Sequence, residues 1–574
     1  MKKHYVTHVE DTDKLISVAG PVLDYKSWYE QYRKLMEEQA QRKYGLYTPT
    51  SEGDDDDFPS IPGMIARYSA LGLTNEQMAA NPVWVDKTGN GHDLQMKNFA
   101  WKEGSGISDV YLGALVFDGV DDYGTCDNFP ILTKEKGYTV VALRQRISTG
   151  EGISGLVSNV KNWFKDGAFI LEYSYTKNSY FNRPVSFGAI GGEKDLPHIL
   201  TYQTSKSYNG VSIAVGSFIG TDQLYVGKTD NIIGNCTNAA IWELVFLDHD
   251  ATEEELTKIK DYFVKTYPWL FPDQAWTVVG KTNEDEDRAT IANITGNGND
   301  LVLSNFGFAE GSGYGLYKTP FELYPSVQHS SKYNLSFSKF ALGDHNLIIA
   351  PKQNDLSYDI KVKVTGLKEG VKFKWGWIGT TGYIDITTDG IHMLNKPASQ
   401  IRQLIVEFAE DFDPDHVVTI EQIPEYEGYL VTDGVDDKIT SSIFKMGNDW
   451  TVIGDWELIN TGKNDNAGIV KFDSIVIYNY NPILINIKNG RNHLIPDQNT
   501  VNAICSDGRI YSKDWKESIY NEETESTSKN LLTIGYSGNA YTKIAFKNLA
   551  IYPTVLSRED CIKAYNYLQT LKAK

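Results

Sequence analysis

Two copies of the same five residues, Asp-Gly-Val-Asp-Asp, stand at Asp118–Asp122 and Asp433–Asp437. Three carboxylates around a glycine have three uses. They can ligate a hard cation, supply an acid or base, or turn the chain sharply. An EF-hand loop needs acidic ligands at alternate positions, a glycine sixth and a glutamate twelfth. Neither copy supplies them. Asp-Gly between an apolar run and a following strand is a strong hairpin signal, because glycine and aspartate tolerate positive φ. The pattern therefore predicts a tight hairpin turn, with cation binding open as a second use.

Catalytic arrangements are hard to find elsewhere. A glycosidase needs two carboxylates about 5–10 Å apart across a sugar bond. The nearest strand candidate, GYIDITTD, puts Asp385 and Asp389 on one face but lacks a glutamate. NEDED at Asn283–Asp287 reads as a solvated loop. The chain has no GxSxG, HExxH or P-loop pattern. His92 beside TGNG is matched by Asn299 in a second TGNG, which favours a turn role over ligation. The GSGIS and GSGYG stretches lack the strand-to-helix context of a nucleotide loop. The expectation is a protein that is not an enzyme.

The elements that position DGVDD repeat along with it. TGNGHDLQMKNFAWKEGSG (Thr88–Gly106) precedes the first copy and TGNGNDLVLSNFGFAEGSG (Thr295–Gly313) the second. Alternating strands follow each copy, GYTVVALRQRI from Gly137 and DWTVIGDWELI from Asp449. Leu224–Gly227 corresponds to Leu532–Gly535. Each copy closes with an apolar strand and a short helix, opened by Thr252 with Glu255 and by Ser557 with Asp560 as capping pairs. The chain thus carries a duplicated module.

The spacing differs between copies. TGNG begins at Thr88 and DGVDD at Asp118 in the first, but at Thr295 and Asp433 in the second. The second interval is several times longer, and so long an addition is not a bare loop. It contains the strand patterns Tyr358–Val364, Lys372–Ile378, Gly382–Thr388, Arg402–Phe408 and His416–Ile423. These predict a small inserted β-sandwich. Ahead of both modules, Tyr25, Trp28, Tyr29, Tyr32, Leu35 and Met36 form one apolar face of a predicted helix, with Asp24 as N-cap and Gly45 past its end. This arm packs on its own chain or docks on another subunit. The division expected is 1–57 for the helical arm and acidic linker and 58–270 for the first sandwich. The second sandwich takes 271–318 and 428–574, around an insert at 319–427.

Composition narrows the partners. The 574 residues include 35 Tyr and 12 Trp, and 75 acidic against 55 basic side chains give a formal charge of −20. Such a surface repels phosphate backbones and anionic lipid, so neither nucleic acid nor a membrane is expected as partner. No apolar run reaches the length of a membrane span. MKKHYVTHVEDTDKL lacks the apolar core of a signal peptide, so synthesis in a cytoplasm is expected. Cys126, Cys236, Cys505 and Cys561 have no zinc spacing and read as free, buried thiols.

Several of these motifs resemble a known superfamily. Trp84, Asp86, Thr88–Gly91, Leu115–Tyr123, Leu244–Phe246 and Thr252–Leu256 are similar to the laminin-G-like members of the concanavalin A-like lectin/glucanase superfamily. So are Thr295–Gly298, Leu430–Asp437, Leu549–Ile551 and Ser557–Asp560, with Lys438 in place of the tyrosine and Pro553 entering the linker. The two copies cover about 360 residues. The wording ATIANITGNGNDLVLSNFGFAEGSGYG with the later LVTDGVDDK is similar to tail-fibre or appendage virion proteins of crAss-like phages of Bacteroidales. The resemblance implies a mainly β chain. Two concanavalin A-like jelly-roll sandwiches are expected, the second interrupted by the insert, behind the helical arm. It also implies a structural Ca²⁺ at a sandwich rim, for which Asp121, Asp122, Asp436 and Asp437 would be ligands. No other cofactor is expected. Lectin-like glycan contact would fall to exposed aromatics, of which Tyr175, Tyr180, Trp375, Trp377, Tyr478 and Tyr480 are the candidates. The expected role is a multi-copy virion structural protein that binds other virion proteins through its arm and host-surface glycans through its modules. The alternatives are a purely structural spacer and, third, a cryptic glycanase.

Overall fold

The computed structural model describes residues 6–7, 16–17, 57–132, 136–148, 155–159, 170–171, 178–179, 190–192, 196–203, 207–208, 211–212, 221–228, 236–309, 311–317, 321–324, 333–338, 347–351, 360–368, 371–377, 384–394, 402–408, 413, 415–444, 447–459, 468–472, 475–478, 484–487, 491–494, 501–512, 514–519, 530–537 and 540–573. Among the described residues the protein is mainly β, in antiparallel sheets, with few helices. No described helix is long and apolar enough to cross a membrane. The expected N-terminal helix, with Tyr25, Trp28, Tyr29, Tyr32, Leu35 and Met36, lies outside the described residues.

The chain divides into two compact units, 1–191 with 199–262, and 192–198 with 263–574. In the first, one sheet runs in spatial order Val211–Ser212, Ser207–Tyr208, His198–Gln203, Thr139–Arg146, Asn238–Leu247, Ala114–Asp118, Gly106–Ser108, and Met64–Ser69 also pairs with Asn238–Leu247. The other runs Ile170–Leu171, Val157–Ser158, Leu224–Val226, Tyr123–Cys126, Leu94–Lys97, Val83–Trp84. Leu115, Phe117, Val140 and Leu244 from the first sheet meet Leu94, Met96, Val157 and Leu224 from the second in one core. Leu94–Lys97 alternates buried and exposed, as a half-covered strand should. Asn238–Leu247 is almost wholly buried, and its sequence NAAIWELVFL is correspondingly apolar, apart from Asn238 and Glu243. Thr252 and Glu255 cap the helix Glu253–Thr266 reciprocally. The Glu255 amide donates to Thr252 Oγ1 at 3.3 Å and the Thr252 amide to Glu255 Oε2 at 2.8 Å.

The second unit contains the same sandwich. Gly313–Leu316, Glu425–Val431, Ile544–Tyr552, Thr451–Leu458 and Val501–Cys505 follow one another as their counterparts do in the first, with Gln274–Thr277 on the closing strand. The facing sheet runs Thr290–Ile291, Leu301–Ser304, Lys438–Phe444, Asn530–Ile534, Gly468–Phe472, Ile475–Tyr478, Leu484–Ile487, Arg491–Leu494. Trp276, Leu430, Phe546, Ile439, Leu532 and Ile534 fill the space between them. The helix Arg558–Leu568, capped by Ser557, packs on strands Thr451–Leu458 and Ile544–Tyr552.

Residues between the two halves of this sandwich form two further sheets. One orders Phe321–Tyr324, Leu347–Pro351, Arg402–Phe408, Val371–Trp377, Ile384–Ile386; the other Asn334–Phe337, Val418–Ile423, Ile360–Thr365, Gly390–Leu394. Ile360–Thr365 alternates strictly, with Ile360, Val362 and Val364 buried and Lys361 and Lys363 exposed. The strand drawn from GYIDITTD stops at Ile386, so Asp385 and Asp389 do not share a strand face. Asp389 sits on a bend, where its carboxylate accepts from the amides of Gly366 at 3.0 Å and Leu367 at 2.6 Å. A carboxylate engaged by two amides is a loop clamp and not an acid poised at a cleft.

Candidate functional site

The DGVDD segments do not form hairpins. Ala114–Asp118 and Tyr123–Cys126 belong to opposite sheets, as do Glu425–Val431 and Lys438–Phe444. Each segment is a corner that carries the chain across the sandwich. Its glycine, Gly119 at φ +80° or Gly434 at φ +77°, takes the left-handed step that a side chain resists.

The carboxylates hold the corner through the backbone. Asp118 Oδ1 accepts from the amides of Val120 (2.7 Å), Asp121 (3.2 Å) and Asp122 (3.5 Å), and Asp122 Oδ2 accepts from the amide of Asp118 (3.0 Å). The second copy repeats this closely. Asp433 Oδ1 takes the amides of Val435 (2.7 Å), Asp436 (3.2 Å) and Asp437 (3.4 Å), and Asp437 Oδ2 takes that of Asp433 (2.7 Å). Asn98 Nδ2 and Asn305 Nδ2 each donate at 3.0 Å to the carbonyl of the middle aspartate, Asp121 or Asp436. Backbone N–H groups that a bare turn would leave to water are satisfied by two side chains.

Burial sets the charge state of the last aspartate. Asp122 is fully buried and Asp437 nearly so. Desolvation pushes each carboxyl up to about 6, against the pull of its hydrogen bonds. Ser312 Oγ donates to Asp437 Oδ1 at 2.9 Å. In the first copy Ser105 lies near enough to favour the charged form of Asp122, yet no hydrogen bond reaches Asp122 Oδ1.

Asp118, Asp121 and Asp122 bring one oxygen each within 4.8 Å of one another, and so do Asp433, Asp436 and Asp437. These clusters can hold a metal ion. The expected ligands Asp121, Asp122, Asp436 and Asp437 are joined by Asp118 and Asp433, which sequence reasoning missed. Their signal was the ordinary one for an aspartate that clamps the amides following it, two and three residues on. A cation suits the first corner better, since Asp122 Oδ1 has no partner, whereas both oxygens of Asp437 are engaged. Neither corner needs an ion to satisfy its backbone amides.

A second construction common to both modules is the turn at TGNG. Asp86 Oδ1 accepts from the amides of Arg67 (3.1 Å) and Thr88 (3.0 Å), and Asn293 Oδ1 accepts from those of Ala275 (3.2 Å) and Thr295 (3.1 Å). An amide replaces a carboxylate and the turn persists, so charge at Asp86 is not what the turn requires. Tyr68 Oη donates to the His92 carbonyl, and Trp276 Nε1 to that of Asn299, at 2.5 and 3.0 Å. His92 thus serves through its backbone, the turn role expected of it.

Half of the expected glycan residues are among the described ones. Tyr175, Tyr180 and Tyr480 lie outside the described residues. Trp375 and Trp377 are on the strand Val371–Trp377, opposite Leu404 and Arg402, and Tyr478 ends the strand Ile475–Tyr478. All four cysteines are free and buried. In NEDED, Asp285 accepts from the Thr282 amide at 2.9 Å and Asp287 pairs with Lys281 at 2.6 Å, an arrangement of loop clamps.

No family model matches the chain, and no curated protein does. Among solved structures it is similar to Trypanosoma rangeli sialidase, at 14% identity and TM-score 0.25 over 45% of this chain and 41% of that one. The chain spans about two-fifths of the length of that sialidase. It is similar also to the botulinum neurotoxin serotype D ligand-binding domain in complex with N-acetylneuraminic acid, at 9% identity and TM-score 0.28 over 87% and 97%. The receptor-binding domain of a botulinum neurotoxin C/D mosaic serotype gives 9% and 0.26 over 69% and 88%. Likeness this slight establishes neither a ligand nor an activity.

Proposed function

We propose that the chain is a non-enzymatic adhesion protein whose β-sandwich modules contact glycans, carried in many copies on a bacteriophage particle as a tail-fibre, appendage or decoration protein. One observation carries the non-enzymatic part. The two carboxylate groups that the described residues bring together, at Asp118–Asp122 and Asp433–Asp437, are held against backbone amides in both copies, as structural corners. Duplication of a sandwich suits adhesion, since weak sites gain strength when linked. The virion setting rests on the sequence resemblance, and with it assembly in a host cytoplasm and docking through the N-terminal arm.

A second reading, a spacer that binds other virion proteins, has its own support. Val120 and Val435, at the tips of the two corners, are 71% and 70% exposed. Ile391 and Met393 lie exposed on an edge strand. Exposed apolar groups at tips and edges suit contact with other proteins. The test is binding of the full chain, clustered on beads, to polysaccharide-bearing Bacteroidales cells with and without EDTA, alongside antibody labelling of phage particles. Saturable cell binding supports adhesion, and its loss with EDTA brings the aspartate corners into use as metal sites. Particle labelling without cell binding favours the spacer.

A further inference from the structure

The two modules are alike in their corners and unlike on one sheet face, the one turned away from the core. In the first module this face is closed. Glu243 and Arg67 form a buried ion pair at 3.1 Å, Ser69 Oγ donates to Glu243 at 2.7 Å, and the rings of Phe58 and Tyr262 cover the guanidinium at 4.1 and 5.0 Å. The corresponding place in the second module is Asn548, since Glu243 faces Ser69 and Leu143 across its ladders and Asn548 faces Thr277 and Asp455. By the same alignment Ala114, Leu143, Trp242 and Lys260 give way to Tyr429, Asp455, Lys547 and Tyr565.

These replacements meet in space. Tyr429 Oη donates to Asp455 Oδ1 and Oδ2 at 3.3 and 3.2 Å, and the Tyr565 hydroxyl lies close to the same carboxylate. Lys547 Nζ stands 3.9 Å from Asp455 and donates to Gln569 Oε1 at 2.7 Å. It occupies the extra position of a β-bulge between the Asp455–Asn548 and Trp456–Phe546 pairs, a device that re-aims a side chain. Rings extend the patch on both sides. Tyr426 lies 6.0 Å from Tyr429, and Trp515 lies 5.6 Å from Tyr565. Tyr426, Tyr429, Lys547, Tyr565 and Trp515 are all half-buried, so part of each residue reaches solvent.

Two features are costly for a surface with no use. Tyr426 and Trp515 hold φ at +55° and +57°, which bulky side chains resist. Beneath the patch, Asn548 is fully buried with neither Oδ1 nor Nδ2 hydrogen-bonded, and Gln569 Nε2 is likewise without a partner. Asn548 is directly opposite Asp455 and shares its face. Unmet donors and acceptors at the floor of an aromatic patch are places for ordered water that a hydroxyl-bearing ligand bridges or displaces.

We propose that this patch, Tyr426, Tyr429, Asp455, Lys547, Tyr565 and Trp515, is a binding site for a neutral, hydroxyl-rich oligosaccharide, and that the first module has lost or never had it. The rings supply stacking faces, while the carboxylate, ammonium and amides supply acceptors and donors for sugar hydroxyls. One lysine set against Asp455 and nearby Glu457 disfavours an acidic sugar. The inference rests on the glycan-binding reading of the chain and names its site.

The test applies the bead-clustered full chain to a printed array of neutral and sialylated oligosaccharides. Three proteins are compared: the parent, Tyr426→Gly/Trp515→Gly, and Tyr429→Phe/Tyr565→Phe. Glycine relieves the left-handed backbone, so the first variant is expected to melt no lower than the parent while binding falls roughly tenfold or more. The second keeps both rings and loses the hydroxyls that position Asp455, and its binding should also weaken. It carries the test if the glycine variant fails to fold. Parent binding that both variants retain overturns the patch and leaves the adhesion reading standing. Binding confined to sialylated sugars overturns the ligand class, and binding to no glycan overturns both.

Discussion

Asp122 and Asp437 show what one buried carboxyl does to stability. Their shift from the ordinary 3.8 to about 6 costs the folded state up to about 3 kcal/mol each at neutral pH. The folded state takes up a proton that the unfolded chain does not hold as pH falls from 7 through 6 towards 4. Stability from this source is therefore fully present below about 4 and is lost as pH climbs through 6. Chemical denaturation at pH 5 and pH 7 should show the difference, and Asp437→Asn should flatten it. Millimolar Ca²⁺ at pH 7 should raise the melting temperature if an ion enters the first corner, and Asp122→Asn should abolish that rise. Asp433→Ala, which strips the acceptor from three amides, is expected to cost about 1–2 kcal/mol in the same measurement, and Asp433→Asn a fraction of it.

At the level of elements, local patterns were readable and non-local ones were not. The repeat, the caps of the two closing helices and alternating strands such as Ile360–Thr365 are properties of adjacent residues, and the structure has them where those residues stand. The corner was misread as a hairpin because Asp-Gly dictates a turn but not which strands flank it. Ala114–Asp118 finds its partners at Gly106–Ser108 and Asn238–Leu247, the latter far beyond any turn signal. The aromatic patch was equally hidden, being assembled from residues between Tyr426 and Gln569 by a sheet and a helix. Gly106 and Gly313, by contrast, were legible only as repeated letters, and the structure supplies their reason. They hold φ at +143° and +145°, with Asn75 Oδ1 or Asn283 Oδ1 where a Cβ would go. Gly313→Ala should destabilise by roughly 2 kcal/mol or more, measured by urea titration. Glu243→Gln, which leaves the Arg67 charge buried and unbalanced, should cost about 3–5 kcal/mol in the first module.

For the molecule as a whole, the charge of −20 governs which surfaces it can approach. Adhesion to a sulfated or otherwise anionic polysaccharide should strengthen with added salt, because screening shortens the repulsion from about 10 Å at 0.1 M to about 3 Å at 1 M. Adhesion to neutral glycans should change little. Retention of the bead-clustered chain on the two kinds of polymer across a salt series separates these outcomes. A fall with salt on the anionic polymer would mean that local basic groups outweigh the overall charge.

The pairing of Gln274–Thr277 with Asn548–Ile551 also fixes an order of events during synthesis. The strand that completes the second sandwich leaves the ribosome roughly 270 residues after the strand that begins it, a delay of about 15–55 s at ordinary elongation rates. The first module has a shorter wait, since its closing strand ends at Leu247. During the delay the early strands of the second module must stay harmless, and short edges are the safer ones. They are short: two residues at Thr290–Ile291 and four each at Leu301–Ser304 and Gly313–Leu316. The intervening strands, from Phe321 to Ile423, pair only among themselves among the described residues, so they have partners before the last segment of the polypeptide has been made.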